Sequence, residues 1–211
     1  MVQTQSGETN WSKIMGYAWI ILWISFYILY LTMGESVILG SVGIHKLEGH
    51  SYIRIFSGIF FHKNFIHFFA NVLAYYWIAH YLRKGMRGYR IFSFGLIAAG
   101  IQEIITGFMY PNLENGFGGS SVNFALIGLI TAIQISSKDF VPIYVWKIYK
   151  RNGSWQVDKG SVEGNWIALY AVLTNIPVGM IRSMTIVTHV VAFIVGLVLG
   201  LLGIATFHFL D

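Results

Sequence analysis

Six stretches of this chain are each apolar enough, over a long enough run, to cross the hydrocarbon of a bilayer as a helix. They are Ile14–Met33, Phe65–Leu82, Ile91–Tyr110, Gly119–Ile135, Asn165–Ile181 and Thr185–Phe209. No other feature constrains the fold as strongly, because a backbone in lipid must satisfy its own polar groups and a helix does so within one segment. The expectation is an all-α membrane protein: a six-transmembrane-helix bundle over residues 14–211, preceded by a cytoplasmic N-terminal segment, residues 1–13. Composition agrees, with 55% hydrophobic and only 11% charged residues, where a soluble domain carries about 25% charged. The first segment is too long for a signal-peptide core and no small-residue cleavage site follows it, so it reads as a retained helix.

Two further apolar stretches, Ile53–Phe61 and Phe140–Tyr149, are too short to span. They are expected at the interface or against the bundle. The chain has no cysteine, which excludes disulfides and thiolate metal sites. No basic run suggests nucleic acid.

Lysine and arginine placement sets the orientation. With the N-terminus inside, the inner segments hold ten of the 14 and the outer ones four: Lys46, Arg54, Lys63 and Arg182. Both termini are therefore expected in the cytoplasm. The second, fourth and sixth segments then all run inward, and their N-terminal ends gather at the outer face. Those ends carry His67 and Asn71, Ser120 and Ser121, and His189.

Polar side chains at membrane depth are costly and point to a partner or a function. A lone serine or histidine is usually structural, since small and hydroxylated residues serve close helix packing. Serine, histidine and a histidine–asparagine pair at one depth are harder to explain that way. Serine hydrolysis needs a hydroxyl, a base and donors for an oxyanion. Ser120 opens a helix, where backbone N–H groups lack partners, and Gly118 and Gly119 leave that backbone open to a substrate carbonyl. His189 is the candidate base. His67 and Asn71, four apart, share a helix face. Ala192, Gly196, Gly200 and Gly203 form a small-residue stripe on the His189 face. Phe124 and Gly128 follow Ser120 by four and eight residues, so Phe124 offers a ring to the imidazole. With no acidic third member in view, a Ser–His dyad oriented by packing is the simpler reading.

These residues resemble the rhomboid intramembrane serine proteases. "GGSSVNFALIG" is similar to the family's G-x-S-x motif, which implies Ser120 as nucleophile and Phe124 as the aromatic beside the histidine. "HKNFIHFFAN" resembles the second-helix pattern, implying an oxyanion role for His67 and Asn71, with the Ser120 backbone, and a structural role for His62. "THVVAFIVG" resembles the H-x-x-G-x-x-x-G motif and implies His189 as general base. Arg54 in "IRIFSG" matches the arginine of the loop-one motif. The chain departs from the family at Ile53, where tryptophan is common, and at Ser121 and Ala192, where glycine is. The resemblance implies a rhomboid-like six-helix core, a serine endopeptidase of the cell membrane opening to the outer face, and a transmembrane protein substrate reached through the lipid bilayer. It implies no metal and no cofactor. The alternative is a catalytically inactive rhomboid-like protein that binds membrane helices.

Remaining polar residues are expected to be structural. His62 and His67, five apart, point about 140° apart if helical and do not converge on a metal. Glu103 beside Gln102 marks a polar face towards the bundle. Trp11, Trp19, Trp23, Trp77, Trp146 and Trp166 fit interfacial belts and lipid packing. Pro177 and Gly179 should weaken the outer end of the fifth helix. The "IRSM" connection after it should be mobile.

Overall fold

The computed structural model describes residues 9–34, 57–109, 118–136, 146–159, 161–176 and 180–207. Arg54, Pro177 and Gly179 lie outside the described residues, as do the histidines expected in the outer loop, His45 and His50, and at the inner end of the last segment, His208. Seven α-helices are present among the described residues: α1 Asn10–Met15, α2 Ala18–Met33, α3 Phe65–Leu82, α4 Gly88–Met109, α5 Ser120–Ser136, α6 Val162–Asn175 and α7 Met180–Phe207. A single 3₁₀ turn, Gly58–Phe60, precedes α3. A two-stranded antiparallel hairpin, β1 Trp146–Arg151 and β2 Ser154–Lys159, separates α5 from α6.

Each of the six apolar segments is helical, and α4 and the Met184–Gly203 stretch of α7 are long and apolar enough to cross a membrane. Ile66 is 81% and Phe108 73% exposed, and Ile21, Ile28, Val172 and Val198 are also on the outside. A surface of this kind is unfavourable in water and suits lipid.

The boundaries differ from the sequence expectation in four places. The first segment is two helices, because the chain turns at Gly16 and Tyr17. The Gly16 carbonyl at the break accepts from Tyr75 Oη at 3.0 Å, and the Gly88 amide at the start of α4 donates to Ser12 Oγ at 3.1 Å. Residues 10–13 are helical, within α1. The fifth segment starts earlier, at Val162, and its helix ends at Asn175, with Ile176 extended (φ −63°, ψ 118°). A residue before proline is pushed out of the α region, and Pro177 follows. "IRSM" is not a connection: residues 181–184 lie in the first turns of α7. The end of the Phe140–Tyr149 stretch is strand β1. Its turn, Asn152 (φ 50°) and Gly153 (φ 81°), has both residues left-handed, the geometry that suits the twist of a two-residue hairpin.

Aromatic and aliphatic side chains share one core. Trp19 and Trp23 are fully buried, which corrects their assignment to an interfacial belt. Their indole N–H groups reach backbone carbonyls, Trp19 to Phe92 at 3.4 Å and Trp23 to Ile59 at 3.0 Å. Each buried N–H thereby keeps a partner. Gly95 makes room for Trp19, and Leu126, Leu129 and Ile133 continue the core along α5.

Helices α5 and α7 touch backbone to backbone. A methyl at Gly128 would strike the Phe193 carbonyl and the Leu197 amide, and one at Gly196 would strike the backbone of Ala125. Gly200 lies against Ala132 and Leu129. Contacts that advance together along both helices make α5 and α7 parallel. His67 meets Gly118 and Asn71 meets Asn123, whereas Asn71 meets Tyr170 and Trp77 meets Trp166, so α3 is parallel to α5 and antiparallel to α6. The first turns of α3, α5 and α7 therefore meet at one end of the bundle.

Candidate active site

Ser120 is the first residue of α5. One turn on, Phe124 carries the imidazole of His189 flat on its ring, centroids 4.2 Å apart and planes inclined by 14°. Phe124 and Ala192 are buried together with Ala74 and Tyr170. No hydrogen bond joins Ser120 Oγ to His189 among the described residues.

The two glycines before Ser120 have a use other than openness to a substrate. Gly118 has φ 128°, and a methyl there would strike the His67 ring. A methyl at Gly119 would strike the Trp23 indole. Side chains from α3 and α2 thus fill the space the glycines leave. The Gly118 amide donates to the Gly58 carbonyl at 3.1 Å, and the Gly119 amide to His62 Nε2 at 3.2 Å. The turn into α5 is held from both sides, and the Gly119 amide is not available to an oxyanion.

His62 lies before α3, not on it, so the helical angle between His62 and His67 does not apply. Their rings meet edge to face with centroids 5.2 Å apart. His62 is fully buried, and as an acceptor at Nε2 it must be neutral. Burial, aided by the neighbouring His67, lowers its pKa from the usual 6.5 to about 3.

Asn71 is buried in a polar cluster made by three helices. Its Nδ2 donates to the His67 carbonyl at 3.0 Å. Its Oδ1 accepts from Tyr170 Oη at 2.6 Å and from Asn123 Nδ2 at 3.2 Å. Asn123 Nδ2 also lies 3.1 Å from the Asn71 carbonyl. An amide nitrogen has two hydrogens, so Asn71 keeps one for another acceptor. Ser121 Oγ and Asn123 Oδ1 are buried without a hydrogen-bond partner among the described residues.

Sequence reasoning missed three members of this site: Asn123, Tyr170 and Asn175. Asn175 Oδ1 lies 3.0 Å from His189 Nδ1, so the histidine is oriented by a polar partner as well as by Phe124. Asn123 stood in plain view inside the Ser120 motif, a fully polar side chain between Val122 and Phe124. The Asn-Gly pair that marks the hairpin was also a readable signal. Gln102 faces inward, its Nε2 3.0 Å from Thr106 Oγ1, and Glu103 is half-buried beside it. His80 stacks on Tyr76 and lies 3.6 Å from Glu163, which also pairs with Lys84 at 2.6 Å. That ion pair and the stacked Trp77 and Trp166 join α3 to α6 at the end remote from Ser120. Nearer the site an apolar groove lined by Ala70, Leu73, Trp77, Trp166, Leu169 and Leu173 runs between the same two helices.

No curated protein matches the chain. A family model described as Rhomboid domain matches residues 49–206, a span that takes in Ser120, His189, His62, His67, Asn71, Asn123, Phe124, Tyr170 and Asn175. With that match over more than half of its length, and with a multi-helix bundle faced in apolar side chains, the chain belongs to the rhomboid family of membrane proteins.

Proposed function

We propose that the chain is an intramembrane serine endopeptidase that hydrolyses a peptide bond in or beside a transmembrane segment of another membrane protein. Ser120 Oγ attacks the scissile carbonyl carbon as its proton passes to His189 Nε2. The C–N bond then breaks, and that proton leaves on the departing amine. Water, activated at the same nitrogen, releases the acyl group from Ser120. The developing oxyanion is held by the Ser120 N–H, the spare Asn71 hydrogen and His67. In an unliganded site the hydroxyl–imidazole contact is often long and closes when substrate binds.

The observation that most supports this reading is His189 stacked on Phe124, one turn from Ser120 at the start of a helix. A base held one turn along from a hydroxyl at a helix terminus that favours negative charge is the arrangement this reading requires. The groove between α3 and α6 offers a substrate helix a way in from the bilayer. The lysine and arginine distribution supports an orientation with both termini cytoplasmic and the site open to the outer face, which we assign to the cell membrane. The chemistry needs no metal and no cofactor.

A fluorophosphonate probe tests it. Purified protein in detergent should be labelled, and Ser120→Ala should lose the label. Label that persists in Ser120→Ala overturns the reading. A folded protein that never labels and cleaves nothing, yet binds membrane helices, is an inactive rhomboid-like protein instead.

A further inference from the structure

Asn175 is the last residue of α6, and its amide can be oriented from its two neighbours. On one side it lies 2.7 Å from the Ala171 carbonyl. A carbonyl only accepts, so the atom facing it is the NH₂ group. The atom facing His189 at 3.0 Å is therefore the amide oxygen, which also only accepts. The ring nitrogen opposite it, Nδ1, must then carry the hydrogen. In a neutral imidazole this leaves the lone pair on Nε2.

From this we infer that Asn175 is a positioning residue: it selects the His189 tautomer whose Nε2 is free to take a proton, and Phe124 fixes the plane in which that nitrogen lies. The inference rests on the reading of His189 as the base for Ser120. A serine–histidine site whose histidine is held in the wrong tautomer loses most of its rate although every group is present. The geometry thus replaces a bare dyad with a histidine gripped from two helices, ring face on α5 and Nδ1 on α6.

The position of α6 has a second consequence. This helix carries no reacting group, yet Tyr170 holds Asn71 and Asn175 holds His189. Tyr170 reaches across to α3 and Asn175 across to α7, so α6 supplies an orienting bond on each side. The Lys84–Glu163 pair and the Trp77–Trp166 stack lie towards the opposite end of α6 from Asn175.

Three variants in one detergent test the inference: Asn175→Leu, Asn175→Asp and His189→Ala. Two readouts are taken, the rate of fluorophosphonate labelling at Ser120 and the ¹⁵N spectrum of the histidine rings. Wild type should show His189 with its hydrogen on Nδ1. Asn175→Leu should lose that preference and label more slowly, by up to about 10⁴-fold if the wrong tautomer comes to dominate, with the KM for a peptide reporter unchanged. Asn175→Asp still accepts from Nδ1 and should recover the tautomer and most of the rate. Its negative charge favours the imidazolium, so the acid limb of its pH–rate profile should move to higher pH. The groups that face the ring are Phe124 and Asn175, with His67 the charge-bearing neighbour, and His67 is unchanged in all three variants. If Asn175→Leu folds with a wild-type melting temperature, keeps the tautomer and labels at the wild-type rate while His189→Ala does not label, the inference is overturned and the proposed function stands. If His189→Ala labels like wild type, the proposed function fails, and the ring spectrum still reports whether Asn175 sets the tautomer. Should Asn175→Leu not fold, Asn175→Ala removes the same acceptor with no added bulk and is read the same way.

Discussion

His189 rests on Phe124 at 4.2 Å with the planes nearly parallel, so the imidazole of α7 takes its orientation from a residue one turn beyond Ser120. The contact is possible only because Gly128 and Gly196 let the two helices meet backbone to backbone. Position of the base and packing of the seam are thus one structural fact.

Ser120→Ala and His189→Ala should each abolish cleavage of a membrane substrate and leave the protein folded. Because the two groups act together, the double variant should be no worse than either alone. Ser121→Ala should keep activity, as its hydroxyl is buried behind the turn. Reconstituted cleavage assays decide it, and a dead Ser121→Ala beside an active Ser120→Ala would move the nucleophile by one residue.

The seam should tolerate no branching. Gly128→Val and Gly196→Val each force a side chain into a facing backbone, at a cost of about 1–3 kcal/mol or more. Both should lower the melting temperature in detergent and slow turnover through His189. Ala192→Gly should be accepted. Equal melting temperatures across the series would show that the two helices do not need this approach.

Asn71→Ala should reduce turnover by about 10²-fold, the usual worth of one oxyanion donor. Tyr170→Phe takes away the bond that holds the Asn71 amide and the longer one accepted from Asn123 Nδ2, each worth ~1 kcal/mol or less, and should cost less. Combined, the two should be less than additive, because Tyr170 acts through Asn71. Full additivity in steady-state kinetics would mean that Tyr170 works by another route.

Stability should fall on the acid side through His62. Its folded pKa lies near 3 and its unfolded value near 6.5, so between these values the unfolded chain binds more protons. The stabilisation is complete above pH 6.5 and is lost as pH drops towards 3. Protonation would also remove the acceptor for the Gly119 amide at the mouth of α5. A melting-temperature series from pH 7 to pH 4 should slope less steeply in His62→Gln than in wild type; identical slopes would refute the role.

Helix α3 was legible to the residue in the sequence, Phe65–Leu82, and the other five segments to within a few residues, except where Gly16 breaks the first and Pro177 ends the fifth. The reason is local: an unbroken apolar run in lipid has to close its own hydrogen bonds, so length and composition suffice. The spacing of His67 from Asn71, and of Ser120 from Phe124, was equally readable, because residues four apart share a helix face whatever surrounds them. What tertiary structure alone decided is which polar side chains find one another. Tyr170 and Asn71 are 99 positions apart and come from antiparallel helices, and nothing in the neighbourhood of either announces the other. Trp23 looks like an interfacial anchor until α3 and the 3₁₀ turn close over it and Gly119 leaves room for its ring. Asn175 looks like a helix-ending polar residue until α7 brings His189 alongside. A buried polar group gains only when its partner arrives with it, and that pairing is a property of helix positions in space, not of any one stretch of chain.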